Sequence, residues 1–175
     1  MGAILYGLVT FQSFHMVEHA MLFIQAYVEG LVKPTGILEL LFNDTLVQVH
    51  FVFNLILYAF LLLALMLYNQ ARGDRAWLLN PIPKLRKNIL LFDFALYGLF
   101  VFQTVHMLDH SLQYLQYYVL GTVNPNGLFG QFINESNIVI HLFVNGIILS
   151  GLVMAALSYR RISKHTGRAP KRQEL

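Results

Sequence analysis

Four apolar stretches, at residues 3–28, 46–68, 91–119 and 137–159, alternate along the chain with shorter polar segments. Each is at or near the ~20 residues that cross ~30 Å of hydrocarbon as a helix. The first and third are broken in the same way, by "FQSFHMVEH" at 11–19 and "FQTVHMLDH" at 102–110. The pattern predicts an all-α integral membrane protein with four transmembrane helices, in which polar groups are drawn to the inside of the bundle.

The recurrence extends well beyond those nine residues. Leu5 to Tyr68 aligns without a gap on Leu96 to Tyr159, at a constant offset of 91, with 23 of 64 positions identical. The matches include Gln12/Gln103, His15/His106, Met16/Met107, His19/His110, Gln25/Gln116, His50/His141 and Asn54/Asn145, and Glu18 pairs with Asp109 as a carboxylate. Such self-similarity marks a tandem duplication. The expected organisation is a two-helix repeat over 1–69, a basic connector over 70–90, a second repeat over 91–159 and a basic tail over 160–175. Two spans per repeat give both hairpins the same orientation, with pseudo-twofold symmetry along the membrane normal. Equivalent residues then lie at equal depth.

Charge supplies the orientation. Eleven of the twelve Lys and Arg fall in "QARGDRAWLLNPIPKLRK" and "RRISKHTGRAPKRQEL", whereas the other loops hold Glu29, Glu39, Asp44 and Glu135 with Lys33 alone. By the positive-inside rule both termini are expected in the cytoplasm and the loops near 30–45 and 121–136 outside. The N-terminus lacks the basic region and small-residue cleavage site of a signal peptide, so the first span is expected to be retained. The basic tail suits anionic lipid headgroups rather than nucleic acid. Trp77 in the middle loop fits an interfacial position, and the seventh histidine, His165, lies in the tail.

The chain has no cysteine, which excludes disulfides and thiolate-held metals or clusters. Imidazoles and carboxylates remain. At 100° per residue Gln12, His15 and His19 share an arc of ~60° on the first helix, with Glu18 and Met16 beside it. His50 and Asn54, and equally His141 and Asn145, are four apart on the following helix of each repeat. By helical rise, His19 lies ~15 Å and His50 ~9 Å from the outer ends of their helices, a mismatch that tilt partly closes. The loops with G-x-V-x-P-x-G, 30–36 and 121–127, are expected to cover the histidine layer.

These positions predict a transition-metal site with His15, His19, His50, His106, His110 and His141 as ligands. Glu18 and Asp109 are expected as ligands or supports, and Gln12, Asn54, Gln103 and Asn145 as the polar groups behind them. Imidazole-rich sites suit copper, iron or zinc, in one dinuclear centre or two mononuclear ones. Met16 and Met107 are further candidates for contact with Cu(I). The letters of residues 15–19 also fit the H-x-x-E-H of some zinc peptidases, but the second copy carries Asp where a catalytic Glu is required. A haem b or chlorin held by His15, His50, His106 and His141 is the rival cofactor, disfavoured by the shortage of cationic partners for propionates. The expected role is a redox subunit of a membrane complex or a small metal-dependent oxidoreductase, located in a prokaryotic cytoplasmic membrane with its site toward the outside. The alternatives are a pigment-binding accessory subunit and a structural or metal-transporting bundle.

Overall fold

A computed structural model describes residues 1–31, 34–42, 45–73, 83–123, 125–129 and 137–166. Its regular elements are the helices α1 (Gly2–Tyr27), α2 (Ile37–Phe42), α3 (Leu46–Gly73), α4 (Pro83–Tyr118) and α5 (Asn137–Thr166). Lys33, Asn43, Asp44, Trp77, Pro81, Asn134 and Glu135, together with residues 167–175, lie outside the described residues.

The long helices overrun the apolar stretches that predict them. α3 and α4 extend into the basic segment 70–90, and α5 into 160–175. Polar residues with good helix propensity prolong a helix beyond its apolar run, and Pro83 opens α4 where a missing N–H costs nothing. The short α2 has no counterpart in the sequence expectation. Its six residues are too few to show a period, and it forms because Leu38 packs with Val49 and Phe53 of α3.

Val47–Ala71, Leu85–Tyr118 and Ile138–Lys164 are long and apolar enough to cross a membrane. α1 has comparable length, but Gln12, His15, Glu18 and His19 interrupt its apolar run. Those four residues are buried, on one stripe with Leu5, Leu8 and Leu22, while Tyr6, Phe14, Val17 and Ile24 of the same helix are exposed. The other helices share this inverted distribution: Phe94 and Phe143 are each 74% exposed, whereas Gln103, His106, Asp109 and Asn145 are fully buried. An outside of this kind suits lipid, not water.

Neighbouring long helices run antiparallel in the cyclic order α1, α3, α4, α5. Phe11 stacks on Phe53 at 3.8 Å, Gln103 bonds Asn54, and Phe92 lies 5.9 Å from Tyr159. Gln12 bonds Asn145, closing the ring of four. One half of the interior is apolar, built from Leu5, Leu57, Leu61, Phe92, Leu96 and Leu152. At that end the Tyr68 hydroxyl donates to Asp93 and the Tyr97 hydroxyl to Asn69. The other half holds the histidines.

A layer of amides separates the two halves. Gln12 Nε2 donates to Asn145 Oδ1 at 2.8 Å, and Gln103 Nε2 donates to Asn54 Oδ1 at 3.0 Å. Each asparagine in turn donates Nδ2 to the carbonyl four residues earlier, that of His141 or His50. Both bonds cross between the repeats and recur at the offset of 91. In lipid, apolar side chains gain little by leaving hydrocarbon for the interior, so such cross-helix bonds and close packing hold the helices together. A double-mutant cycle with Gln103→Leu and Asn54→Leu, read by reversible unfolding in mixed micelles, is expected to give a coupling of ~0.6 kcal/mol, and at most ~1.7 kcal/mol. Additive losses would remove this pair as a link between the halves.

Candidate metal centre

His15 and His19 stand one turn apart on α1, and His50 faces them from α3. His106 and His110 on α4 and His141 on α5 repeat the arrangement. In each triad one nitrogen per ring lies within 4.8 Å of the other two, and all six residues are buried. The expected mismatch in depth between His19 and His50 is absent: their ring centroids are 4.8 Å apart, and those of His110 and His141 likewise 4.8 Å. Packing of α3 against α1 brings the two levels together.

The triads adjoin one another. His19 stacks on His141 at 5.9 Å with 15° between planes, and His50 on His110 at 5.8 Å with 20°. These two contacts are equivalent at the offset of 91. His15 and His106 lie deeper, His15 against the face of Phe53 at 4.2 Å and His106 near Phe129 at 6.4 Å. A cavity of about 360 Å³ adjoins the histidines and is lined by His19, His50, His110 and His141, with Gln113, Pro125 and other residues around it. Two histidines of each triad therefore reach one shared space.

The donor atoms suit a small ion. The Nε2 atoms of His15 and His19 are 3.2 Å apart; two imidazoles at ~2.0–2.1 Å from one tetrahedral ion would have nitrogens ~3.4 Å apart. Nδ1 of His15 and of His19, and both ring nitrogens of His106 and of His110, have no hydrogen-bond partner among the described residues. Each unmet buried polar atom costs about 1–3 kcal/mol. An ion that accepts the lone pairs removes part of that cost. These two buried histidine triads are able to hold metal ions.

The carboxylates serve the loops as well as the rings. Glu18 Oε1 accepts the Leu38 N–H at 3.2 Å, and Asp109 Oδ1 accepts the Phe129 N–H at 2.8 Å, positions again 91 apart. The other oxygen of each turns toward a histidine: Glu18 Oε2 is 3.6 Å from His15 Nδ1, and Asp109 Oδ2 is 3.3 Å from His141 Nε2. Asp109 Oδ2 also accepts from Gln113 Nε2 at 2.9 Å. Glu18 and Asp109 thus join the loop backbone to the imidazoles, the position of groups that orient metal ligands. Gln25 and Gln116 supply a second attachment, accepting the N–H of Thr35 at 2.7 Å and of Gly127 at 3.0 Å.

The loops begin alike. Gly30 and Gly121 adopt φ of 69° and 68°, and the N–H of Leu31 and of Thr122 returns to the carbonyl of Gln25 and of Gln116 at 2.9 and 2.8 Å. This is a glycine-terminated helix end that turns the chain back over the bundle. Sequence reasoning singled out the repeated glycines and Gln25/Gln116 but gave the glutamines no task. It also missed Phe53, because an aromatic residue on an apolar helix carries no signal of a histidine behind it, and Phe129, because a loop aromatic carries none either. Met16 lies away from the rings, in an apolar groove between α4 and α5. The His165 side chain lies outside the described residues.

No protein-family model matches the chain, and no curated protein or solved structure matches it.

Gly127 and Gly121 provide a paired test of the loop attachment. Both have positive φ, but a Cβ at Gly121 meets open space, whereas at Gly127 it would come within 2.5 Å of Asp109 Oδ1 and 2.8 Å of Gln113 Cγ. Gly121→Ala is expected to cost only the ~1–2 kcal/mol of a left-handed alanine. Gly127→Ala should lower the melting temperature distinctly further in a thermal-unfolding series. Equal losses would show that the contacts around Asp109 contribute nothing.

Proposed function

We propose that the chain is a four-span membrane metalloprotein, built from two hairpins related by a pseudo-twofold axis along the membrane normal, that binds one transition-metal ion at each histidine triad. The ligands are His15, His19 and His50 in one site and His106, His110 and His141 in the other. Glu18 and Asp109 orient them, and the amide pairs Gln12–Asn145 and Gln103–Asn54 close the polar layer beneath. The observation that carries this reading is the convergence of three imidazoles in each of two buried triads, with both ring nitrogens of His106 and of His110 lacking a hydrogen-bond partner among the described residues. Membrane burial sharpens it, because six imidazoles and two carboxylates are expensive to keep in hydrocarbon without a task.

In this reading α1 is the fourth span: its polar residues face inward and its outward face is apolar. The basic segments around 70–90 and 160–175 lie in the cytoplasm, against anionic headgroups, so the centre sits in the outer half of the bilayer. Imidazole ligation suits copper, iron and zinc, and a site of this kind befits a redox subunit of a membrane complex or a small membrane oxidoreductase. The tetrapyrrole reading is weaker. His15, His19 and His50 have ring centroids 4.5–5.0 Å from one another, a cluster that converges on a point rather than facing across a flat ring.

Elemental analysis of the full chain in mild detergent, after expression with copper, iron and zinc supplied, is expected to find two ions per chain. His19→Ala and His110→Ala should each remove one, and the double variant both. Asp109→Asn should weaken binding at the second site by ~10–100-fold, the usual effect of losing a group that orients a ligand. Retention of no transition metal by the folded chain would overturn the reading. Topology is separately testable, since the chain has no cysteine: a single Cys at position 33 should react with an impermeant maleimide from outside, and one at position 77 only after permeabilisation.

A further inference from the structure

We propose that the two triads form one centre that binds a single small external ligand, with a donor atom at each end, in the cavity between them, and that this ligand enters from the loop side. The inference rests on the metal reading above and adds the shared ligand position, the class of ligand and its route. It applies to any first-row ion that imidazoles accept. Three observations carry it.

The first is that the triads share walls. His19 of the first triad stacks on His141 of the second at 5.9 Å, and His50 of the first on His110 of the second at 5.8 Å. These four rings, two from each triad, line the cavity of about 360 Å³. Ions held by the two triads are therefore neighbours across one space, the arrangement in which two metals hold one bound ligand from both sides.

The second is the lining. Among the described residues no Lys, Arg, Asp or Glu faces the cavity. Besides the imidazoles its polar groups are the amides of Gln113 and Asn126, and the remainder, such as Leu22, Val47 and Ile138, is apolar. Nothing here grips a charged organic group, and no protein carboxylate stands between the triads on this face. The imidazoles are the groups with unmet capacity. His110 is 2% exposed with neither ring nitrogen bonded among the described residues, and Nδ1 of His19 is likewise unbonded. Recognition in such a pocket falls to its few polar groups, so the ligand is held by coordination rather than by ion pairing. A water molecule takes ~30 Å³, and the cavity has ample room for a ligand of a few atoms.

The third is the route. Every lining residue lies at the level of the histidines or on their loop side. Leu22 and Gln113 are about one turn beyond His19 and His110, Val47 and Ile138 are at the starts of α3 and α5, and Val123, Pro125 and Asn126 belong to the second loop. Asn126 is exposed, so the cavity reaches the surface there. On the opposite side His15 and His106 are fully buried, the bonds Gln12–Asn145 and Gln103–Asn54 cross the bundle, and the apolar half around Leu57 and Leu152 follows. A polar ligand finds no partner along that half. Pro34 and Thr35 of the first loop, equivalent to Pro125 and Asn126, do not line the cavity, so the second loop forms its mouth.

The test uses the full chain in detergent, loaded with cobalt(II) as a spectroscopic probe ion and titrated with azide, a three-atom ligand with a donor at each end. The expected result is one azide bound per two cobalt ions. In His15→Ala/His19→Ala, where one triad remains, azide should bind roughly 100-fold more weakly, because a ligand gripped at both ends gains about that factor over one gripped at a single end. If that variant does not fold, the stoichiometry of the native chain decides. Asn126→Trp, at the exposed mouth, should slow azide binding severalfold. Two azides bound independently per chain, no azide bound to the cobalt-loaded chain, or undiminished affinity with one triad would overturn the shared position, and an unchanged rate in Asn126→Trp would overturn the route. All of these leave the metal reading standing. Failure to retain any transition ion would overturn both.

Discussion

The structure depends on one constraint: a polar group inside an apolar bundle must find its partner within the bundle. An outside of Phe, Val, Ile and Tyr side chains offers no partner to Gln12, Glu18 or the histidines. The bonds that supply one between elements are interhelical or helix–loop bonds. Gln12 reaches Asn145 on α5, Gln103 reaches Asn54 on α3, and the two carboxylates reach back to the loop backbone at Leu38 and Phe129. These bonds choose the neighbours of each helix and set their register. The histidine triads are held in place by the same set, since the amide bonded to the carbonyl of His50 or His141 is also the amide that crosses to the other repeat. Polar satisfaction and site assembly are therefore one event.

Duplication makes this economical but leaves the halves unequal. Position 18 carries Glu and its equivalent 109 carries Asp; Leu22 is matched by Gln113, and Phe53 by Val144. The changes are linked. The shorter Asp109 leaves room that Gln113 fills, its Nε2 bonded to Asp109 Oδ2 and 3.5 Å from His141 Nε2. In the first half Glu18 reaches farther, Leu22 needs no partner, and Phe53 covers His15 with its ring face. One triad thus has an aromatic wall behind it, and the other a chain of hydrogen-bonding groups beside it. A donor next to an imidazole changes its basicity and an aromatic wall lowers the local polarity, so the two triads would differ electronically as ligand sets although both are built of three histidines.

Much of the site was legible before the fold, for a physical reason. Hydrocarbon penalises polar residues strongly, so any that survive at matching positions in both halves are under a common demand, and helical periodicity then puts them on one face. The six histidines, the two carboxylates and the four amides all follow from that logic. What the sequence did not disclose depends on distances across helices. The agreement in depth of His19 and His50, the division of six histidines into two adjoining triads, and the role of Gln25 and Gln116 in holding the loops are such features. α2 was invisible because six residues cannot display a period, and the overrun of α3, α4 and α5 into basic segments because charge marks a membrane boundary rather than a helix end.

The loops complete the logic of the bundle. A histidine layer open to solvent would be hydrated and would lose the low dielectric that strengthens polar contacts within it. Both loops start from a left-handed glycine and are then fixed twice, to a glutamine at the helix end and to a carboxylate about two turns deeper. The deeper attachment makes the cover and the centre interdependent: the oxygens that hold the loop belong to the groups that face His15 and His141. A shift of the loop pulls on the carboxylate, and the carboxylate bears on the imidazole. The triads and the loops above them are thereby coupled through two side chains, Glu18 and Asp109, each of which holds a loop N–H with one oxygen and turns the other toward an imidazole.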